Sequence, residues 1–156
     1  MEKKFELTDN FIINAFGVKL FQIKCTKSFK YAKEGDLGGY VEKDENLDQE
    51  SDAWVYGNAQ VCGNARVYGN AQVCGNADIE NDNNHCGFDC FGSCNRHTHA
   101  YLTKDNKVEI TCGCFRGSIE EFEKKVEKTH SGKIYEKQYK AIINAIKIKF
   151  GLTDLI

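Results

Sequence analysis

The chain has 156 residues, the size of one domain or of one domain with a small appendage. Its 21 Lys and Arg residues nearly balance 23 Asp and Glu residues, so we expect neither a surface built for nucleic acid nor sequence-specific nucleic-acid binding. The absence of a long apolar stretch and of a signal-peptide pattern at the N-terminus predicts a cytoplasmic protein that does not enter a membrane, with its eight cysteines reduced.

The first predicted element is a β-hairpin within residues 11–29. Apolar residues partly alternate in residues 11–13 and 18–25, and a turn that contains Gly17 separates the two runs. A glycine-rich segment at residues 35–40 then leads into the repetitive part of the chain. We therefore expect residues 1–36 to form an N-terminal β-hairpin cap.

The middle of the chain carries a six-residue repeat. Residues 56–67 and 68–79 share the run Tyr-Gly-Asn-Ala-Gln-Val-Cys-Gly-Asn-Ala. A period of six fits neither an α-helix nor a series of hairpins, and it predicts a short strand followed by a corner in each unit. Valine and isoleucine favour extended backbone, whereas Gly-Asn favours the corner. The small and the aliphatic positions of the repeat are Ala53, Ala59, Ala65, Ala71, Ala77, Val55, Val61, Val67, Val73 and Ile79.

This pattern resembles the hexapeptide-repeat family, whose left-handed parallel β-helix takes three hexads per coil. The resemblance implies that residues eighteen apart stack on one face, with Tyr56 over Cys74 and Asn58 over Asn76. Cys62 and Cys74, twelve residues apart, would then lie on different faces. We expect both thiols to be unpaired and to lie on the surface.

The repeat is looser upstream, although its phase continues. Val41 and Leu47 fall in the register of the alanines, whereas Lys43 and Gln49 interrupt the aliphatic register. We therefore place the hexapeptide-repeat β-helix at residues 37–80. So short a structure has two open ends, which must be capped or paired.

Residues 81–117 are predicted to form a Cys/His-rich loop and β-strands. A polar run at residues 80–84 ends the repeat, and residues 107–112 alternate as a strand does. Thiolates and imidazoles are ligands for zinc, but three-residue gaps between cysteines do not match a zinc ribbon or finger. We therefore expect no cofactor, and zinc stays open as an alternative to simple packing cysteines. The candidate metal ligands are Cys86, Cys90, Cys94, Cys112 and Cys114.

A short polar segment within this region supplies the candidate partner-binding residues. His97 and His99 occupy alternate positions of a predicted strand and therefore face the same side. With Arg96, Tyr101 and Arg116 they could form a small patch that binds an anion. We predict no catalytic residue, because a base and its partner cannot both be named. The simplest alternative is a strand with two surface histidines.

Residues 118–156 are predicted to form a helical hairpin that packs on a β surface. Ser118 and Glu121 have the spacing of a capping box at the start of the first helix, which ends at Gly132. The apolar stripe of the second helix, which ends at Gly151, is most simply core, although a partner-binding or oligomer face is an alternative. The apolar residues of the two helices are Ile119, Phe122, Val126, Tyr135, Tyr139, Ile142, Ile143, Ile146 and Phe150.

Three runs resemble a group of phage and prophage hexapeptide-repeat proteins. They are residues 35–42, residues 53–59 and residues 111–122, in the order found in that group. The group has no agreed activity, so the resemblance assigns no catalytic residues. It implies a mobile element inside a bacterium, where small accessory proteins bind and disable host components such as CRISPR–Cas or nucleotide-signalled defence systems.

The sequence as a whole predicts a mainly β protein with C-terminal helices. Our leading hypothesis is a non-catalytic, self-associating protein that binds and inhibits a bacterial host protein, for example in an anti-CRISPR role. One alternative is a small hexapeptide-repeat enzyme, acyltransferase or phosphodiesterase-like, that uses His97 and His99. The other is a metal-organised structural protein. The absence of histidine from residues 40–84 disfavours the acyltransferases and zinc carbonic anhydrases of this fold family.

Overall fold

The computed structural model describes residues 2–152 and separates into two compact units, with the boundary between Asp82 and Asn83. The protein is mainly β with two helices near its C-terminus, as the sequence predicts. Of the predicted segments 81–117 and 118–156, residues 83–152 fall in the C-terminal unit, whereas residues 153–156 lie outside the described residues. Within residues 2–152, neither helix is long and apolar enough to cross a membrane.

The N-terminal unit is built from strands in two sheets. In one sheet the order is β1-β2-β3-β5-β7, and β4 pairs with β6 in the other. The predicted hairpin is confirmed, and its first strand begins further upstream than expected, at Phe5. The strands described in this unit are β1 (Phe5–Ile13), β2 (Lys19–Cys25), β3 (Leu37–Val41), β4 (Trp54–Val55), β5 (Gln60–Val61), β6 (Gln72–Val73) and β7 (Asp78–Ile79).

The hexads pair in parallel with hexads further along the chain. Val61 pairs with Ile79 and Val55 pairs with Val73, in each case eighteen residues on. These aliphatic side chains are fully buried, as are the alanines of the same coils. Burial of Val and Ile against equivalent residues of the next coil stabilises the stack, because each side chain removes apolar surface from water.

Upstream of Trp54 the pairing distance is two residues longer than the repeat predicts. Val41 pairs with Val61 and Leu47 pairs with Val67, so each is twenty residues from its partner. Both side chains therefore occupy the aliphatic register, and the prediction that they share the register of the alanines is wrong. The extra residues lie between Leu47 and Trp54, in a segment that turns to contact the N-terminal strand.

Residues near the N-terminus cover the start of this stack. Strand β2 pairs antiparallel with β3, which is the first strand of the β3-β5-β7 ladder. Gln49 Oε1 accepts hydrogen bonds from the backbone N–H groups of Lys4 and Phe5, at 2.8 and 3.2 Å. The Lys4 ammonium donates to the carbonyl oxygens of Ser51 and Ala53, both at 2.6 Å. These contacts satisfy polar backbone groups at an open end, which is the role expected of a cap.

The cysteines of the hexads lie inside the N-terminal unit. All eight cysteines of the chain are among the described residues and none forms a disulfide. Cys62 and Cys74 are buried, so the expectation that they lie on the surface is wrong. The thiol is small and apolar enough to be enclosed at a position where Tyr68, its equivalent in another hexad, stays exposed. Burial, followed by nearby carboxylates, raises the pKa of Cys62 to about 11.

The C-terminal unit is an antiparallel sheet with order β11-β10-β9-β8, followed by two helices. The predicted capping box is confirmed, because Ser118 Oγ accepts from the Glu121 N–H and Glu121 Oε1 accepts from the Ser118 N–H. The elements are β8 (His85–Phe91), β9 (Arg96–Leu102), β10 (Val108–Cys112), β11 (Phe115–Ser118), α1 (Ile119–His130) and α2 (Ile134–Lys149).

The helices pack on one face of this sheet. Ala100 and Ile110 of the sheet are buried with Ile146 of α2 in a single apolar cluster. The stripe predicted on the second helix is therefore core, and the alternative of a partner-binding face does not hold for its buried members. The buried helical residues of this cluster are Ile119, Phe122, Val126, Tyr139, Ile142, Ile143 and Ile146.

Candidate functional site

Alternation along strand β9 separates the predicted partner-binding residues. Arg96 lies on the side of Ala100, which packs against the helices, whereas His97, His99 and Tyr101 lie on the opposite side. His99 and Tyr101 are buried, at 4% and 0% exposure. The structure therefore does not bring all five residues into one surface patch, because the pleat separates Arg96 from His97, His99 and Tyr101 and because His99 and Tyr101 are buried.

Three histidines form a hydrogen-bonded line across strands β8 and β9. His97 Nδ1 lies 2.6 Å from Asp89 Oδ1, and His97 Nε2 lies 3.0 Å from His99 Nδ1. His99 Nε2 in turn lies 2.9 Å from His85 Nδ1. Neither His85 nor Asp89 was predicted as a site residue, because their segment was expected to form a loop. In fact residues 85–91 form a strand, whose alternate positions 85, 87 and 89 face the histidines of β9.

The carboxylate at one end fixes the direction of this line when the three rings are neutral. Asp89 only accepts hydrogen bonds, so His97 donates to it through Nδ1 and accepts from His99 through Nε2. His99 Nε2 then accepts from His85 Nδ1. Burial, followed by the charges that His85 and His97 would carry, lowers the pKa of His99 well below its usual value. The neutral form of His99 is therefore favoured.

A glycine on the neighbouring strand makes room for the stacked imidazoles. The rings of His97 and His99 are nearly parallel, with centroids 5.2 Å apart. A Cβ atom at Gly87 would lie 2.6 Å from His97 Cε1 and 2.7 Å from His99 Nδ1. Any larger residue at this position would displace the rings, so Gly87 is part of the arrangement.

The predicted metal ligands do not come together. Cys112 belongs to the apolar core beside the helices, and Cys86 packs against that core. Cys90, Cys94 and Cys114 are exposed. No three Cys, His, Asp or Glu side chains within residues 2–152 are grouped so that they could hold a metal ion. The histidines form a line instead of converging, because both ring nitrogens of His99 face neighbouring imidazoles.

The helical side of the C-terminal unit contains a pocket of about 470 Å³, which we call the basic pocket. Its lining includes the cations of Arg96, Arg116 and Lys125 and the imidazole of His130, although the Arg116 guanidinium bonds to Glu109 at 2.8 Å. Among the described residues no Asp or Glu lines it. The remaining lining residues are Cys112, Cys114, Phe115, Phe122, Val126, Thr129 and Tyr139.

A tyrosine hydroxyl lies beside these cations. The Tyr139 ring stacks on His130, with centroids 5.6 Å apart and an interplanar angle of 25°. Its hydroxyl lies 3.8 Å from Cys112 Sγ. Burial and the neighbouring Cys112 raise the pKa of Tyr139, whereas Arg96 opposes the shift. The hydroxyl therefore stays protonated at neutral pH and can donate a hydrogen bond.

The N-terminal unit presents a different surface at the end of its hairpin, which we call the hairpin tip (residues 11–19). Phe11, Ile13 and Phe16 are 48%, 64% and 75% exposed. Asn14 Oδ1 accepts from the Phe16 and Val18 N–H groups, at 3.0 and 2.9 Å, and this Asx turn orders the tip. No strand within residues 2–152 pairs with the outer edge of β1.

Comparison with known proteins found no matching family model and no matching curated protein. The resemblance to phage hexapeptide-repeat proteins therefore stays a prediction from the sequence motifs. The candidate sites are defined by the residues described above, namely the histidine line, the basic pocket and the hairpin tip.

Proposed function

We propose that this protein is a non-catalytic accessory protein of the phage type that binds and inhibits a bacterial host protein in the cytoplasm. The observation that supports this proposal is the hairpin tip, where three large apolar side chains are exposed on an ordered turn. A CRISPR–Cas component is one host target of the proposed class, and zinc has no part in the proposal.

An open strand edge beside apolar side chains suits a protein partner. Strand β1 lies at the edge of its sheet. Beyond Phe5, whose N–H and C=O bond to the Gln49 side chain, its outer edge faces no other strand of residues 2–152. Proteins ordinarily blunt such edges, because an exposed edge pairs with any available strand. In strand addition the backbone bonds supply affinity, while pockets of the partner receive alternate side chains such as Phe11 and Ile13.

The enzymatic alternative that uses His97 and His99 has less support. His99 is 4% exposed, and both of its ring nitrogens are hydrogen bonded to neighbouring imidazoles. A general base must reach the proton that it abstracts, either directly or through one water molecule. A binding role needs no such access.

We further propose that residues 37–80 form a left-handed β-helix of about two coils. The eighteen-residue pairing of Val55 with Val73 and of Val61 with Ile79 supports this proposal, as does the third parallel contact between Leu47 and Val67. Self-association into a homo-oligomer is part of the same proposal. The mass of the purified protein, measured by light scattering after gel filtration, tests self-association.

The host-binding proposal is tested with matched surface variants. The double variant Ile13→Ser/Phe16→Ser removes apolar surface from the hairpin tip, and Tyr68→Ser removes an equally exposed aromatic residue elsewhere in the same unit. Each tagged protein is used to capture proteins from a bacterial lysate, and the partner is then purified for calorimetry. We expect the double variant to weaken binding by at least about tenfold and Tyr68→Ser to leave it unchanged, since aromatic anchors dominate interfaces. Equal binding by all three proteins would contradict the proposal.

A further inference from the structure

We propose that the basic pocket of the C-terminal unit is a binding site for a nucleotide, with its phosphates held by Arg96 and Lys125. This inference is independent of the hairpin tip and of the host-protein interface proposed there.

Cationic side chains are concentrated here in a protein whose formal net charge is −2. Arg96 and Lys125 line the pocket, and neither forms an ion pair within residues 2–152. Arg66, by contrast, pairs with Asp48. Unpaired cations in a concave site without carboxylates attract an anion, and guanidinium groups bind phosphate oxygens in a bidentate manner.

Two turn glycines lie against the polar groups at the edge of the pocket. A Cβ atom at Gly113 would overlap Arg96 Nη1, so the guanidinium lies directly against the β10–β11 turn. A Cβ atom at Gly92 would overlap the Tyr139 hydroxyl. Both glycines have positive φ, at 58° and 81°, which other residues adopt only with strain. The two turns thus leave room for the Arg96 guanidinium and the Tyr139 hydroxyl at the edge of the pocket.

The N–H of Gly92 is also tied to the second helix. It donates to Gln138 Oε1 at 2.8 Å, which links the β8–β9 turn to α2. The turn that precedes Arg96 is therefore held against the helix that carries Tyr139. This contact fixes the relative placement of the two sides of the pocket within the C-terminal unit.

The size and the walls of the pocket favour a nucleotide over a bare phosphate ion. Its volume of about 470 Å³ lies within the range of small-molecule sites. The His130 ring on the wall stacks on Tyr139, so a planar group faces the same space as the cations. A nucleobase stacks on such rings while its phosphates bind the cations. The Tyr139 hydroxyl adds a hydrogen-bond donor for a phosphate or ribose oxygen.

Calorimetry with ATP as the probe tests this inference on the full chain. We expect one ATP per chain, with binding that weakens as the salt concentration rises because the attraction is electrostatic. Arg96→Gln and Lys125→Gln should each weaken binding by at least about tenfold, as expected when a charge-assisted hydrogen bond is lost. Lys128→Gln, which removes the same charge from an exposed position of α1 outside the pocket, should have no effect.

The same titrations identify the outcomes that overturn the inference. Absence of ATP binding at millimolar concentration would overturn it, as would binding that Arg96→Gln and Lys125→Gln leave unchanged. Pyrophosphate that binds as tightly as ATP would overturn the nucleobase contact. Single-stranded oligonucleotides that bind more tightly than ATP would overturn the nucleotide site in favour of a nucleic-acid groove. The thermal unfolding of each variant is measured in parallel. If a glutamine variant is unfolded, shifts of the Gly92 and Gly113 amide resonances on ATP addition to the wild-type chain decide the question.

Discussion

The imidazole of His99 takes part in hydrogen bonds at both ring nitrogens, within a line of three histidines that ends at the Asp89 carboxylate. A positive charge on this ring is opposed by burial and by the two neighbouring imidazoles. His99 therefore stabilises the folded protein near neutral pH and destabilises it in acid. Its contribution can be isolated by comparing pH profiles.

We predict that acid destabilises the protein in part through His99. The folded pKa lies below the unfolded value of 6.5, so the unfolded state binds more protons as the pH falls through that value. This contribution to stability is present above pH 6.5 and is lost below it, at up to about 1.4 kcal/mol per pH unit. Urea unfolding of wild type and His99→Gln at pH 7.5, 6.5 and 5.5 should show a smaller loss in the variant. His130→Gln is the control, and parallel profiles for all three proteins would contradict the prediction.

At the scale of elements, a buried asparagine holds two turns of the hexapeptide stack together. Asn46 is fully buried, and its side-chain N–H groups donate to the carbonyl oxygens of Gly63 and Ala65, at 3.2 and 2.9 Å. Its side-chain oxygen accepts from the Lys43 N–H at 3.0 Å. These bonds stabilise the corner that follows β3, where the sequence does not follow the six-residue repeat.

Asn46→Asp is expected to destabilise the protein by about 2–4 kcal/mol. The carboxylate replaces two donors with an acceptor, so the carbonyl oxygens of Gly63 and Ala65 lose their partners and face a buried charge. Asn64→Asp makes the same chemical change at an exposed residue of a hexad corner and should alter the free energy of unfolding by at most about 0.5 kcal/mol. Chemical denaturation measures both, and a similar effect of the two substitutions would refute the role of Asn46.

Elements that carry a short-range sequence motif were predictable, whereas elements without one were not. Ser118 and Glu121 identified the start of α1 because a capping box depends on residues three apart. The Gly-Asn corners identified the repeat for the same local reason. Strand β8 was missed, because its own residues, His-Cys-Gly-Phe-Asp-Cys-Phe, do not alternate between apolar and polar. Its pairing with β9 is what makes it a strand.

For the whole molecule, the distribution of the eight thiols gives a direct test of the fold. Cys90, Cys94 and Cys114 are exposed, whereas Cys86 is half-buried. The remaining thiols are enclosed in the two units, and they are Cys25, Cys62, Cys74 and Cys112.

We predict that a thiol reagent such as dithionitrobenzoate modifies three cysteines rapidly in the native protein at pH 8. Cys86 should follow slowly, and the four enclosed thiols should react only as the protein opens, since modification requires an accessible thiolate. Absorbance counts the reacted thiols, and mass spectrometry of peptides identifies them. In guanidinium chloride all eight should react at once. Rapid reaction of Cys62 or Cys74 without denaturant would contradict the burial of the hexad cysteines.

Within the repeat, the sequence alone determined the parallel pairing of hexads eighteen residues apart, because each hexad carries its own strand and corner signals. An eighteen-residue pairing distance follows when such units stack, and Val61 and Ile79 pair at that distance. The hairpin and both helices were likewise determined by short-range patterns. The upstream coil was not, since its two extra residues are accommodated by contacts of Gln49 with residues more than forty positions away.

The candidate sites were decided by the tertiary structure. His97 and Arg96 are adjacent in the chain, yet the strand pleat sends one towards Asp89 and the other into the basic pocket. Lys125 and Tyr139 reach that pocket only because both helices fold onto one face of the sheet. The sequence lists residue types, whereas their encounter depends on register and packing between distant segments, which no local pattern encodes.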